Sequence, residues 1–308
     1  MGAVLAVDIG GTKLAAAVVD AEGGIHCRAT TATPVTDDPH VVAVALCRLI
    51  DQVVAAGPVQ TIVAAGIACA GPMDGGTVSP VNIPAWRQYD VVGTVSQALP
   101  GRPVVLANDG TCMALGEYWR GGHPSSGADR GALLGIVVST GVGGGVVLDG
   151  KVYCGGSGNA GHIGHTVIEI DGEPCPCGGK GCVEAYASGP SMASWAAANG
   201  WDGESLDARR LAHDARAGHP VAVAAFQRGA DALAAAIVSA AALFDLDDVV
   251  VGGGVAAAGD VLFSPLRAGI RARSGLGFLQ RLRIHRSPLG ADAGLLGAAA
   301  LALDAVAT

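Results

Sequence analysis

The chain has 308 residues, a formal net charge of −8, 50% hydrophobic and 15% charged residues, and a mean hydropathy of +0.44. That length is enough for one large or two medium domains with real cores. The acidic balance, with no cluster of Lys and Arg, argues against nonspecific nucleic-acid binding, and the apolar stretches are broken by Asp, Arg, Asn or Gly before reaching the roughly 20 strongly apolar residues of a spanning helix.

The start, MGAVLAVDIGGTK, lacks a basic region and its apolar run stops at Asp8, so neither a signal peptide nor a membrane partner is expected and the protein is placed in the cytoplasm. Cys27, Cys47, Cys69, Cys112 and Cys154 are scattered singly through apolar surroundings. In a chain too long to need staples they are expected as buried, reduced thiols.

Residues 4–9 and the LAAAVVD that follows read as two strands meeting at a turn around Gly10 and Gly11. Bare backbone N–H groups in such a turn approach an oxyanion closely, and Thr12 and Lys13 add a hydroxyl and a cation. Phosphate binding is therefore a candidate role beside a plain turn. Asp8 ends a buried run, where a carboxylate needs a partner; a magnesium shell is one. A strand at 25–30, an amphipathic helix at 40–56 and a buried strand at 61–68 indicate a layered α/β domain. CAGPMDGGTVSPVNIPAW reads as a long loop.

A short strand at 104–106 runs into ANDG and a helix at 111–120. Asn108 and Asp109 then stand at the carboxyl end of a parallel strand, the ligand edge of an open α/β sheet, with a helix N-cap as the plainer role for the aspartate. Residues 121–130 are polar and glycine-rich, as an interdomain loop would be. Strands at 133–140 and 145–149 flank GVGGG, so STGVGGGVVLDG, with Thr140 and Gly141, echoes DIGGTKLAAAVVDAEG. This weak repeat implies two similar domains, each offering a glycine hairpin to a shared cleft.

Next comes GHIGHTVIEIDGEPCPCGGKGCVEAYASG. Cys175, Cys177 and Cys182 sit in a glycine-rich loop that can bring their thiolates to one centre, with His165 upstream as a fourth ligand. Cys3His is a closed structural zinc set; ordinary free thiols are the alternative. Such a zinc contributes roughly 10–16 kcal/mol to folding and would fix whatever His165 and Glu184 carry. Helices are expected at 190–199, 206–217 and 221–244, then a strand at 249–251. Gly252, Gly253 and Gly254 after it leave bare backbone against which a flat base can lie. A final helix is expected at 290–305.

The ordered set DIGGTK, AND, STGVGGG, GHIGH, CPCGGKGC and VVGGGV resembles the ROK family (repressors, open reading frames, kinases) over nearly the whole chain. The resemblance implies two actin-like, ribonuclease H-like α/β domains, 1–120 and 121–289, an active site in the cleft between them, and a tail, 290–308, packing back on the first. It implies an ATP- and Mg²⁺-dependent hexose 6-kinase that is a homo-oligomer, with Asp109 as catalytic base. Asn108 would hold sugar hydroxyls, and Gly71 and Asn82 become sugar contacts. His165, Cys175, Cys177 and Cys182 would hold zinc, while His165 and Glu184 face the sugar. Asp8, Gly10, Gly11, Thr12, Lys13, Thr140 and Gly141 would serve ATP and its metal, and Gly253 and Gly254 adenosine.

One position departs from the family pattern GExGH, whose glutamate touches sugar hydroxyls: this chain has His162. A carboxylate only accepts hydrogen bonds, whereas neutral imidazole has one donor and one acceptor. Glucose is the default substrate, and an amino sugar, kanosamine or an N-acetylhexosamine, the alternative. Sugar-sensing repressors of the family carry a DNA-binding domain in front, for which DIGGTK beginning at Asp8 leaves no room. A non-catalytic sugar binder would lack the acid that Asp109 supplies.

Overall fold

The computed structural model describes residues 2–56, 62–124, 131–203 and 207–307. The starts expected at Thr61 and Leu206, and residues 125–130 of the expected interdomain loop, lie outside them.

Strands β1 (Ala3–Ile9) and β2 (Lys13–Val19) pair antiparallel. Both are almost wholly buried and Ala/Val-rich, as strands covered on two faces must be. β3 (Ile25–Ala32) is the more exposed edge strand. Helix α1 (Pro39–Ala56) buries Val42, Leu46, Leu49, Ile50 and Val53 at helical spacing. β4 (Ile62–Cys69) returns parallel to β1. The segment read as a loop, residues 69–86, holds two short strands instead, β5 (Met73–Asp74) and β6 (Thr77–Val78), which form a small sheet with β7 (Tyr89–Asp90) just beyond it. Trp86 stacks on Tyr89 at 4.3 Å, and the Arg87 guanidinium donates to the carbonyls of Pro80, Ile83 and Trp86. Side chains thus supply an order that no periodicity announces. α2 (Val91–Ser96) leads to β8 (Val104–Asn108) and α3 (Asp109–Arg120).

The second half repeats this plan. β9 (Ala132–Val138), β10 (Val142–Leu148) and β11 (Lys151–Val152) precede the cysteine-rich segment, followed by α4 (Glu184–Ala187), α5 (Gly189–Ala198), α6 (Ala208–Arg216) and α7 (Pro220–Phe244). β12 (Asp248–Gly252), α8 (Asp260–Arg273), β13 (Arg283–Arg286) and α9 (Ala293–Ala307) close the chain. The sheets run β3-β2-β1-β4-β8 and β11-β10-β9-β12-β13. Each is a run of three antiparallel strands extended by two parallel ones, so the sequence echo is a repeat of topology.

Two expectations change. GVGGG is not the second turn: Ser139–Gly141 make it, with Ser139 N–H donating to the Gly141 carbonyl at 2.8 Å, while Gly143, Gly144 and Gly145 lie inside β10. A side chain at Gly145 would strike the Thr111 backbone, and one at Gly110 would meet Gly144. The glycines let α3 lie directly on β10, the close approach that strand glycines permit. Cys154, expected buried, is exposed; Cys69 and Cys112 are buried, and Cys27 and Cys47 half-buried.

The helices after the two sheets exchange places. α9, which ends the second half, packs Leu295, Ala298, Ala299 and Ala302 onto Val4, Ala6 and Ala64 of the first sheet. α3, which ends the first, packs Met113, Ala114 and Tyr118 against Leu133, Val147 and Val250 of the second. Gly116 and Gly297 sit where the two helices cross, each facing the other's backbone. Contrary to the expectation that every apolar stretch is broken short of a spanning length, α1, α7 and the stretch Gly290–Ala307 are by length and composition alone long and apolar enough to cross a membrane. Each buries an apolar face in one of the cores: Val42, Leu46 and Ile50 of α1, Phe226, Leu233 and Ile237 of α7, and Leu295, Ala298 and Ala302 of α9.

Candidate active site

The loops at the carboxyl ends of β1, β4, β8, β9 and β12 bring most of the expected residues to one region. Asn108 is the N-cap of α3: its Oδ1 accepts from Gly110 N–H at 3.0 Å. Asp109, offered the cap role on sequence, is instead the first helical residue, and its Oδ1 shares the Gly110 N–H at 2.8 Å. Capping consumes Asn108 Oδ1 and leaves Nδ2 as a donor. A methyl placed on Gly71 would lie 3.2 Å from that Nδ2 and 3.3 Å from His162 Nε2. Gly71, Asn108 and His162 therefore converge. Burial raises the Asp109 carboxyl above the ordinary range, opposed by the Gly110 N–H and by His162.

Asp8 lies at the carboxyl end of β1, under the first turn of α9, where a methyl on Gly294 would sit 2.8 Å from its Oδ2. Burial and the Asp109 carboxylate push Asp8 up to about 6, against the pull of Lys13 and Arg28. Two carboxylates in one apolar corner disfavour each other's charge, and a divalent cation answers that. In the first hairpin Gly10 N–H is taken by the Lys13 carbonyl at 3.0 Å, so Gly10 contributes turn shape rather than a free donor. Gly11 lies against Asn82: a methyl there would be 2.6 Å from its Cβ. Thr12 is exposed and Lys13 half-buried.

The second hairpin touches two further expected groups. Glu184 Oε2 accepts from Val142 N–H at 2.8 Å, and Gly189 N–H donates to the Ser139 carbonyl at 2.8 Å. Thr140 at its tip is exposed. Gly253 has φ +89°, and a side chain on it would overlap the Val138 carbonyl, while a methyl on Gly254 would lie 3.6 Å from Ser139 Oγ. The bare backbone after β12 thus adjoins this hairpin.

His165, Cys175, Cys177 and Cys182 form a compact set whose donor atoms all lie within 4.8 Å of one another. Cys177 Sγ is 3.8 Å from Cys182 Sγ, and Cys175 Sγ 3.8 Å from His165 Nδ1. With Zn–S bonds near 2.3 Å, the edge of a ligand tetrahedron is about 3.8 Å, so the four residues fit zinc. The knuckle is braced from outside: Tyr186 Oη donates to Glu169 at 2.7 Å and accepts from Glu173 N–H at 2.8 Å. The Arg228 guanidinium lies over the Tyr186 ring and pairs with Glu173.

Asn159 escaped the sequence reading. It stands between glycines and alanine in GGSGNAG, and only its position relative to Met73 and His162 gives it weight. Its Oδ1 accepts from Met73 N–H and its Nδ2 donates to the Met73 carbonyl, both at 3.1 Å. Its own carbonyl lies 2.9 Å from His162 Nδ1.

A ROK family model matches residues 4–305, and the chain belongs to the ROK family. It is 38% identical over 303 residues to an N-acetylmannosamine kinase of Citrobacter koseri, covering 97% of this chain and 98% of that protein. It is 35% identical over 322 residues to a glucokinase of Streptomyces coelicolor, covering 99% and 98%. A ROK glucokinase from Streptomyces griseus, solved with glucose and AMPPNP, superposes with a TM-score of 0.83 at 34% identity, over 98% of this chain and 100% of that one.

Proposed function

We propose that this protein is an ATP-dependent sugar kinase that phosphorylates the 6-hydroxyl of a hexose, with N-acetylmannosamine as the favoured substrate and glucose as the second reading. The observation that carries the kinase reading is the convergence of Asp109, Asn108, Gly71 and His162 beside two glycine hairpins. Asp109 accepts the proton of the attacking hydroxyl while the sugar oxygen bonds to the γ-phosphorus and the bond to ADP breaks. Asn108 Nδ2, freed by the cap geometry, donates to a sugar hydroxyl. The hairpins at Gly11–Lys13 and Ser139–Gly141 face the triphosphate, and Gly253 and Gly254 the adenosine.

Asp8 is the residue that fits Mg²⁺, which when bound neutralises developing phosphate charge. His165, Cys175, Cys177 and Cys182 fit a structural zinc that holds the knuckle bearing Glu184. We assign residues 1–120 with the tail 290–308 to one domain and 121–289 to the other, and infer a homo-oligomer. A cytoplasmic setting agrees with the eight free cysteines.

The choice of sugar rests on His162. A carboxylate accepts from two hydroxyls, whereas one imidazole nitrogen accepts from one. A 2-acetamido hexose replaces one hydroxyl by an amide and so changes the hydrogen-bond pattern that His162 meets, and N-acetylmannosamine kinases are among the relatives. Glucose stays the second reading because glucokinases are nearly as similar. The test is ADP release by the purified protein with ATP and a panel of hexoses. N-acetylmannosamine should give the highest kcat/KM; a higher value for glucose would reverse the order, and no turnover with any hexose would reject the kinase.

A further inference from the structure

We propose that Asn159 is a positioning residue that joins the two lobes across the cleft and presents His162 to the sugar as a hydrogen-bond acceptor. The inference rests on the sugar-kinase reading in one respect, that the substrate lies beside His162. The structural part stands on contacts alone.

The two partners of Asn159 belong to different cores. Val78, Ile83 and Trp86, from the small sheet that begins at Met73, are buried with β1 and α1 in the first lobe. Ile163, close behind Asn159, is buried with Ile136 and Val142 in the second. The Asn159 carboxamide pairs with both the N–H and the carbonyl of Met73. A primary amide is the side chain able to answer a peptide group at both its donor and its acceptor. Asn159 Nδ2 also reaches the carbonyl and hydroxyl of Ser157, at 3.1 and 3.2 Å, which holds the amide in place from its own lobe. Met73 follows Gly71 by two residues, so the clip sets where Gly71 stands relative to His162.

The same residue orients the imidazole. The Asn159 carbonyl can only accept, so His162 Nδ1, 2.9 Å away, carries the hydrogen. In the neutral ring Nε2 is then an acceptor without a hydrogen, and Nε2 is the atom that faces Gly71. The substitution of the family glutamate by His162 thus keeps an acceptor toward the cleft and removes its charge and second lone-pair oxygen. One short segment, 159–162, couples the seating of the lobes to the hydrogen-bond character of the pocket.

The test uses the full-length protein with Asn159→Ala and Asn159→Asp; the aspartate keeps the acceptor for Met73 N–H and loses the donor to its carbonyl. With N-acetylmannosamine and with glucose, Asn159→Ala should raise the sugar KM about tenfold, as expected for two lost hydrogen bonds, and change kcat and the ATP KM less than about threefold. Asn159→Asp should fall between wild type and alanine. In a His162→Ala background the effect of Asn159→Ala should shrink to about threefold or less, because the two act together. Equal effects in both backgrounds, or an unchanged sugar KM in an active enzyme, would overturn the proposal. Imidazole ¹⁵N shifts of the neutral ring give a readout independent of any substrate: wild type should show His162 protonated at Nδ1 only, and Asn159→Ala, which keeps the backbone carbonyl, should show the same tautomer. An Nε2–H tautomer in the wild type would overturn the proposal even if every hexose were refused, whereas refusal alone would reject only the kinase reading.

Discussion

Glu184 Oε2 accepts the Val142 N–H at 2.8 Å, and this one bond ties the first turn of α4, at the edge of the cysteine knuckle, to the hairpin between β9 and β10. A methyl on Gly141 would lie 2.6 Å from the same oxygen, so the carboxylate is seated against the hairpin backbone. The residue expected to face the sugar therefore also supports the hairpin proposed to face the triphosphate.

Glu184→Ala should accordingly raise KM for both sugar and ATP, each by about three- to thirtyfold, as expected when a charge-assisted hydrogen bond is lost. Glu184→Gln, whose amide oxygen can still accept from Val142, should spare the ATP KM. Steady-state kinetics with each substrate varied in turn checks this; an alanine variant that alters only the sugar KM would limit Glu184 to the sugar.

Metal analysis of the purified protein should find about one zinc per chain. Cys177→Ala should lose the metal and raise the sugar KM at least tenfold, because the loop that carries His165 and Glu184 is then unfastened. A metal-free preparation with full activity would refute the structural zinc.

Asp8 is raised to about 6 from an ordinary 3.8, so charging it opposes folding. The stability linked to its neutral form is present below about pH 4 and lost as pH rises through about 6. Asp8→Asn should therefore stabilise the ligand-free protein at pH 8 by up to about 3 kcal/mol, with little gain at pH 4, while activity falls. Denaturant unfolding at the two pH values measures the difference; equal destabilisation at both would contradict it. Asp109→Asn, by removing the neighbouring anion, should lower the Asp8 pKa, which a ¹³C carboxyl titration reads directly.

His162→Glu should move the ratio of kcat/KM for glucose over N-acetylmannosamine toward glucose by about tenfold to a hundredfold, the usual worth of a buried polar contact. ATP binding should not change. An unmoved ratio would mean that His162 does not read the sugar.

Most of the longer strands and helices, the first hairpin and the cysteine–histidine set were legible because each has a local signature: β1 is a buried Ala/Val run ending in Asp8, and the knuckle has its cysteine spacing. What escaped depends on contacts distant in sequence. GVGGG looked like a turn because glycines mark turns, whereas Gly144 and Gly145 are small to admit Gly110 and Thr111 of α3. The small sheet at Met73–Asp90 is held by Arg87 and the Trp86–Tyr89 stack, and its strands are too short for any period to register. α8 and β13 follow the glycine run at 252–254 without a clear punctuation of their own. Asn159 carries no motif, and its partner Met73 is 86 residues away.

The most direct test of the kinase account is ³¹P NMR of wild type and Asp109→Asn incubated with ATP, Mg²⁺ and N-acetylmannosamine or glucose. The wild type should form a sugar 6-phosphate with one ADP released per product, and Asp109→Asn should slow this by about 10² to 10⁴ while still binding sugar. Near-normal turnover in Asp109→Asn, or a phosphate at another hydroxyl, would contradict the role given to Asp109 and the reaction built on it.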